Sequence, residues 1–305
     1  MPNAPQMKMS GLDWLLLCGL SLLWGGSFFF VQLAVGHLPP FTIVFLRVAL
    51  AASALAFVLW LTGTPFPKGG AVWRALLVMG FLNNALPFTF FVLAQGEIGS
   101  ALAAILNATT PLFTLMVAHL ATSDERLTGA KGAGLLLGFG GVVVMMGAAA
   151  LTAGAGTVLA QAACLAAALC YAFASVWGRR FKRMGVPPLA TAFGMLASSS
   201  GMLLPLVLLV DQPWTQPFAG VVPLAAIGGL ALLSTALAYL IYFRLLSSAG
   251  AVNLALVTFL IPVSAIFLAI VVLGEVLALR HILGMGLITL GLVVIDGRLA
   301  RRLKG

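Results

Sequence analysis

The chain has 305 residues; 62% are hydrophobic, only 8% are charged, and the formal net charge is +9. A soluble domain carries roughly 25% charged residues, and a globule of this length could not hide so much apolar surface from water. The composition excludes a soluble enzyme and most nucleic-acid binders, and it makes the bilayer the solvent.

Hydropathy predicts ten helices, over 12–35, 40–61, 74–95, 97–120, 131–151, 156–178, 188–210, 220–246, 251–273 and 279–297. Each is near the ~20 residues that a spanning helix needs. The runs do not alternate apolar with polar residues, so helices rather than a closed barrel satisfy the backbone in lipid. The first carries Trp24-Gly25-Gly26-Ser27; it is too long for a signal peptide and lacks a small-residue cleavage site. The second follows Pro39-Pro40 and embeds Arg47. An arginine at mid-membrane costs ~2.5–3.5 kcal/mol on insertion scales. Arg47 is therefore expected to pair with a substrate carboxylate, to pair with an acid such as Glu97 or Glu275, or to snorkel.

The third helix sets Asn84, Phe88 and Phe91 on one face by i, i+4, i+7 spacing. Asn83 beside them is expected to bond to a neighbouring helix. The fourth holds Asn107 and, four residues on, Pro111. The fifth contains a GxxxG match, Gly134 to Gly138, read as packing against the tenth helix in a monomer, with a dimer as the alternative. The sixth supplies Tyr171 and, with Phe28 of the first, extends the aromatic wall. Cys18, Cys164 and Cys170 lie in apolar runs and read as buried lone thiols, with no disulfide or metal framework. The eighth repeats the pattern of the third as Thr235, Tyr239 and Tyr242, and the ninth repeats that of the fourth as Thr258 and Pro262. Tyrosine hydroxyls in mid-span need partners. Proline removes a donor and clashes with the carbonyl four residues back. Pro111 and Pro262 are thus expected to be hinges that free the carbonyls of Asn107 and Thr258.

Orientation follows from Lys and Arg in the short loops. With the N-terminus inside, Lys8, Lys68, Arg74, Arg126, Lys131, Arg179, Arg180, Lys182, Arg183, Arg244, Arg298, Arg301, Arg302 and Lys304 all fall inside, and Arg280 falls outside. Both termini are expected in the cytoplasm, and the basic charge marks topology rather than a nucleic-acid patch.

An internal repeat is visible. A shift of 151 residues puts Asn84 on Thr235, Phe88 on Tyr239, Phe91 on Tyr242, Asn107 on Thr258 and Pro111 on Pro262. A shift of 150 puts Glu125 on Glu275, Gly134 on Gly284 and Gly141 on Gly291; one of 147 puts Trp24 on Tyr171 and Pro40 on Pro187. The expected units are 1–152 and 153–305, of five spans each. An odd number of spans inverts the second unit against the first, an arrangement used by alternating-access transporters with substrate near the midplane.

Five plus five spans, Trp24-Gly25-Gly26-Ser27, Pro39-Pro40 followed by Arg47, and Gly-Glu-Val-Leu at 274–277 before a glycine-rich last helix resemble the EamA-type members of the drug/metabolite transporter superfamily. Within it, the aromatic third and eighth helices look most like YddG-type aromatic amino-acid exporters. The resemblance implies a bacterial inner-membrane exporter of amino acids and related metabolites, in some members also of cationic aromatic compounds. The expected cargo site combines Trp24, Asn84, Phe88, Phe91, Asn107, Tyr171, Tyr239, Tyr242 and Thr258, with no cofactor or metal. An intramembrane enzyme would need converging acid, base or metal ligands, and none occurs at plausible depth. Phosphate cargo would want several embedded cations, and a polyamine would want embedded acids. The coupling ion is not identifiable from the residues.

Overall fold

The computed structural model describes residues 9–121, 128–146 and 154–296. Lys8, Asp124, Glu125, Arg126, Arg298, Arg301, Arg302 and Lys304 lie outside the described residues. Among those described, all regular structure is helical. In chain order the helices are α1 (Gly11–Ala34), α2 (Pro40–Thr62), α3 (Gly70–Gln95), α4 (Ser100–Ala121), α5 (Gly129–Met146), α6 (Ala155–Arg183), α7 (Pro188–Thr215), α8 (Val221–Ser248), α9 (Val257–Val271) and α10 (Leu279–Asp296). The first eight are long and apolar enough to cross a membrane, and α9 and α10 are shorter apolar helices. The five-residue helix Gly250–Leu254 precedes α9, so the ninth predicted span starts as a separate turn. Helix α6 runs five residues beyond its predicted end, to Arg183. Arg179, Arg180, Lys182 and Arg183 extend it because long basic side chains carry their charge away from the apolar stem.

Local chemistry sets the helix ends. Ser10 and Asp13 form a capping box at the start of α1: the Ser10 hydroxyl accepts from the Asp13 N–H at 3.1 Å, and the Asp13 carboxylate accepts from the Ser10 N–H at 2.9 Å. Pro40 opens α2, where its missing N–H costs nothing. Gly63 closes it in the left-handed conformation at φ 64°.

Four interruptions break the long helices, one of them a π-helical turn at Val207–Asp211 in α7. In α3, Phe81–Ala85 form a π-helical turn; in α8, Leu232–Leu237 do the same. The 151-residue shift places one on the other. In α4 the helix breaks between Asn107 and Thr110, just ahead of Pro111. The ninth segment breaks earlier, at 255–256, and Pro262 sits inside α9. The two prolines match in sequence, but the break lies about one turn earlier in the second half.

Helix α5 packs chiefly against α10. A Cβ on Gly134 would lie 2.6 Å from the Gly291 carbonyl oxygen, and one on Gly141 would lie 2.6 Å from that of Gly284. Close approach of this kind is available only to glycine. The pairing is reciprocal: Gly134 meets the counterpart of Gly141, and Gly141 meets the counterpart of Gly134. As the residue number rises along α5 it falls along α10, so these equivalent helices run antiparallel. That is the contact an inverted repeat makes across a two-fold axis. The GxxxG match is spent within one chain: Gly138 also faces Leu112 of α4.

Two cores flank the middle of the bundle. One gathers Phe28, Phe91, Leu106, Met145, Cys164 and Ile261; the other gathers Val44, Phe88, Met195, Leu196 and Leu230. Tyr171 packs against both. The thiols divide: Cys164 is buried and Cys170 is half-buried, whereas Cys18 is exposed on the flank of α1, against expectation. In a bilayer such a flank meets lipid tails, so an exposed thiol there costs little.

Candidate functional site

Close packing positions the α1 end of the site. A Cβ on Gly25 would lie 2.8 Å from the Ala265 N and 3.0 Å from the Ile261 carbonyl oxygen, so glycine lets α1 cross α9 beside Pro262. The Ser264 hydroxyl donates to the Ser21 carbonyl at 2.7 Å and pins the same crossing. Trp24, one residue before Gly25, reaches Tyr242 of α8, ring centres 5.6 Å apart.

The π turns of α3 and α8 present the polar members. Asn84 lies in the first and is fully buried; Thr235 lies in the second and is 2% exposed. The Thr235 hydroxyl donates to the Leu230 carbonyl, five residues back, at 2.8 Å. The Thr235 hydroxyl oxygen in turn accepts from Arg47 Nε at 3.1 Å. π turns are rare and often mark functional positions.

Arg47 is only 8% exposed. Its guanidinium carbon lies 3.5 Å from the centre of the Phe88 ring, and Tyr171 and Tyr239 stand within electrostatic range. Its expected partner acids are elsewhere. Glu275 caps α4: Oε1 accepts from the Ser100 N–H and hydroxyl, both at 2.7 Å, and Oε2 accepts from the Ala101 N–H at 3.0 Å. Glu97 faces Gly156 at the start of α6. A helix N-terminus offers free N–H groups and a positive field, so it competes well for a carboxylate.

Rings of α3 pack against α1 and α6, and rings of α8 pack among themselves. Phe91 stacks on Tyr171 at 6.3 Å and meets Phe28 edge-on at 5.4 Å. Tyr239 stacks on Phe243 at 6.1 Å, and Tyr242 meets Phe243 edge-on at 5.3 Å. The Asn83 amide donates to the Tyr239 hydroxyl and to Asn84 Oδ1, both at 3.2 Å, the interhelical bond expected of it. Asn84 Nδ2 is buried with no partner. Donors, rings and one cation thus converge from α1, α2, α3, α6 and α8.

Asn107 and Thr258 behave differently. The Asn107 carbonyl freed by Pro111 accepts from the Thr110 hydroxyl at 2.7 Å, and the Thr258 hydroxyl donates to the Ala255 carbonyl at 2.8 Å. Both bonds are local, so the freed acceptor at Asn107 is already used. Two contributors were missed in the sequence. Phe243 lies four residues after Tyr239, so i, i+4 spacing puts the two rings on one face and could have found it. Asp211, at the end of α7, accepts from the Thr42 N–H at 2.6 Å and hydroxyl at 2.8 Å, tying α7 to the start of α2.

Helices packed as an inverted pair, with a polar and aromatic cluster midway, define the architecture of a membrane transporter. The model of the EamA-like transporter family matches residues 12–147 and again 150–296, so the chain belongs to that family, within the drug/metabolite transporter superfamily. It is 27% identical to the uncharacterized inner membrane transporter YedA of Escherichia coli, over 92% of this chain and 89% of that one. It is also 27% identical to an uncharacterized transporter of Archaeoglobus fulgidus, over 88% and 91%. Identity to protein PecM of Dickeya dadantii is 25%, over 90% and 89%. A solved crystal structure 22% identical superposes with a TM-score of 0.68 over 97% of this chain and 100% of that one, which shows the fold alone. The protein is a multi-pass membrane protein of a transporter family rather than of an enzyme family.

Proposed function

We propose that the protein is a secondary transporter that exports amino acids, aromatic or otherwise neutral, and related metabolites across a bacterial inner membrane by alternating access. Ten spans form two inverted units, 1–152 and 153–305, both termini face the cytoplasm, and the chain works as a monomer. The observation that carries the reading is Arg47. It is buried between the two aromatic faces, and the partners it touches are the Thr235 hydroxyl and the Phe88 ring. A carboxylate of the cargo would complete its charge, and Trp24, Phe88, Phe91, Tyr171, Tyr239 and Tyr242 would hold the ring or side chain. Asn84 adds a donor. Asn107 and Thr258 sit at the helix breaks and, with Pro111 and Pro262, serve the rocking of one unit against the other. A cationic aromatic compound fits less well, because Arg47 would repel it.

Counterflow into proteoliposomes of the purified protein, with a panel of labelled amino acids and their carboxylate relatives, tests the reading. Saturable exchange of aromatic or neutral members is expected, weakened in Phe91→Ala. Folded protein that exchanges none of the panel would overturn it.

A further inference from the structure

The charges of the whole chain restrict the cargo further. There are only seven acidic residues. Asp13 accepts from the Ser248 hydroxyl at 2.6 Å within its capping box, Asp211 holds the start of α2, and Glu275 caps α4. Glu97 faces the start of α6. Asp124 and Glu125 fall in sequence between α4 and α5, and Asp296 is the last residue of α10. The described acids all belong to helix ends or connections, whereas Arg47 lies seven residues inside α2, roughly 10 Å along it at 1.5 Å per residue.

Two donors on the α3 and α8 faces remain unspent. Asn84 Nδ2 is buried and unpartnered. The Tyr239 hydroxyl, having accepted from Asn83, keeps its hydrogen to give. The Thr235 oxygen is used by Arg47, and its hydrogen by Leu230. A cation among donors receives one anionic group. In an amino acid the ammonium sits on the carbon next to the carboxylate, so it would be carried towards Arg47 with no carboxylate to meet it. Stacked rings can hold an ammonium, but here they would do so inside the field of the guanidinium.

Resting on the exporter reading above, we infer that the preferred cargo is a net-negative aromatic carboxylate, such as a 2-oxo, 2-hydroxy or N-acylated aromatic acid, ahead of the zwitterionic amino acid. Each export cycle then moves one negative charge outward. The interior-negative membrane potential drives it, at about 50-fold in the limiting concentration ratio per 100 mV, with no acid in contact with Arg47 among the described residues.

The test uses proteoliposomes loaded with labelled phenylpyruvate, N-acetylphenylalanine or phenylalanine. Valinomycin and a potassium gradient set the potential. Efflux of the two anions should accelerate when the interior is negative and slow when the sign is reversed. Phenylalanine should be carried at least about tenfold less efficiently and without a voltage response. Arg47→Lys should keep the voltage response, and Arg47→Gln should lose the preference for the anions. Phenylalanine carried as well as its anionic relatives, indifferent to voltage, would overturn this inference and leave the exporter reading standing. Folded protein that moves none of the three would overturn the exporter reading itself.

Discussion

Glu275 and Arg47 are both charges in an apolar bundle, and the fold treats them in opposite ways. Glu275 takes three hydrogen bonds from the first residues of α4, and Asp211 takes two from Thr42 at the start of α2. A helix start supplies donors that would otherwise go unsatisfied, so these carboxylates stabilise the bundle where they stand. Arg47 receives a hydroxyl and a ring face, neither of which balances its charge. End charges fasten helices of one half to helices of the other; the central charge is left for something that comes and goes.

That contrast can be broken by exchanging charge for amide at each place. The largest effect is expected for Arg47→Gln. Hydrogen bonds to charged groups contribute about 1.5–3 kcal/mol, so kcat/KM for carboxylate cargo should fall about 10- to 100-fold in proteoliposome efflux. The melting temperature should hold or rise, since an unbalanced buried charge is removed. A sharp loss of thermal stability would instead make Arg47 a structural residue. Glu275→Gln should do the reverse. It keeps one acceptor and loses the charge that suits a helix start, at about 1–2 kcal/mol. The melting temperature should fall, and labelling of a cysteine placed at Ser100 should become faster as α4 parts from the loop ahead of α10. Unchanged labelling and melting would deny Glu275 a fastening role. Asp211→Asn should show the smallest change, under about 1 kcal/mol, because both bonds from Thr42 fall on one oxygen that an asparagine carbonyl can replace. A loss equal to that of Glu275→Gln would mean that charge, not hydrogen bonding, governs both ends.

The π turns of α3 and α8 offer a second contrast, between what repeats and what does not. Asn84 and Thr235 could be matched from spacing alone, because equivalent helices keep their periodicity. The widened turns that hold them could not, since a π turn has no residue signature and forms where packing favours one extra residue in the turn. The prolines were visible as a pair, yet only Pro111 directly follows a helix break; in the second half the chain breaks a turn earlier, at 255–256. Asn107 shows the same limit: the proline rule identified its freed carbonyl, but Thr110 was near enough to take it.

From sequence alone came the helical membrane character, the repeat, the family resemblance and the residue types of the site, because composition, periodicity and glycine spacing act over a few residues at a time. Helix crossings decided the rest: which acid Arg47 does not meet, and that Asp211 reaches Thr42. Those outcomes depend on which faces approach within a few ångströms after folding, a distance that spacing along one strand of sequence does not encode.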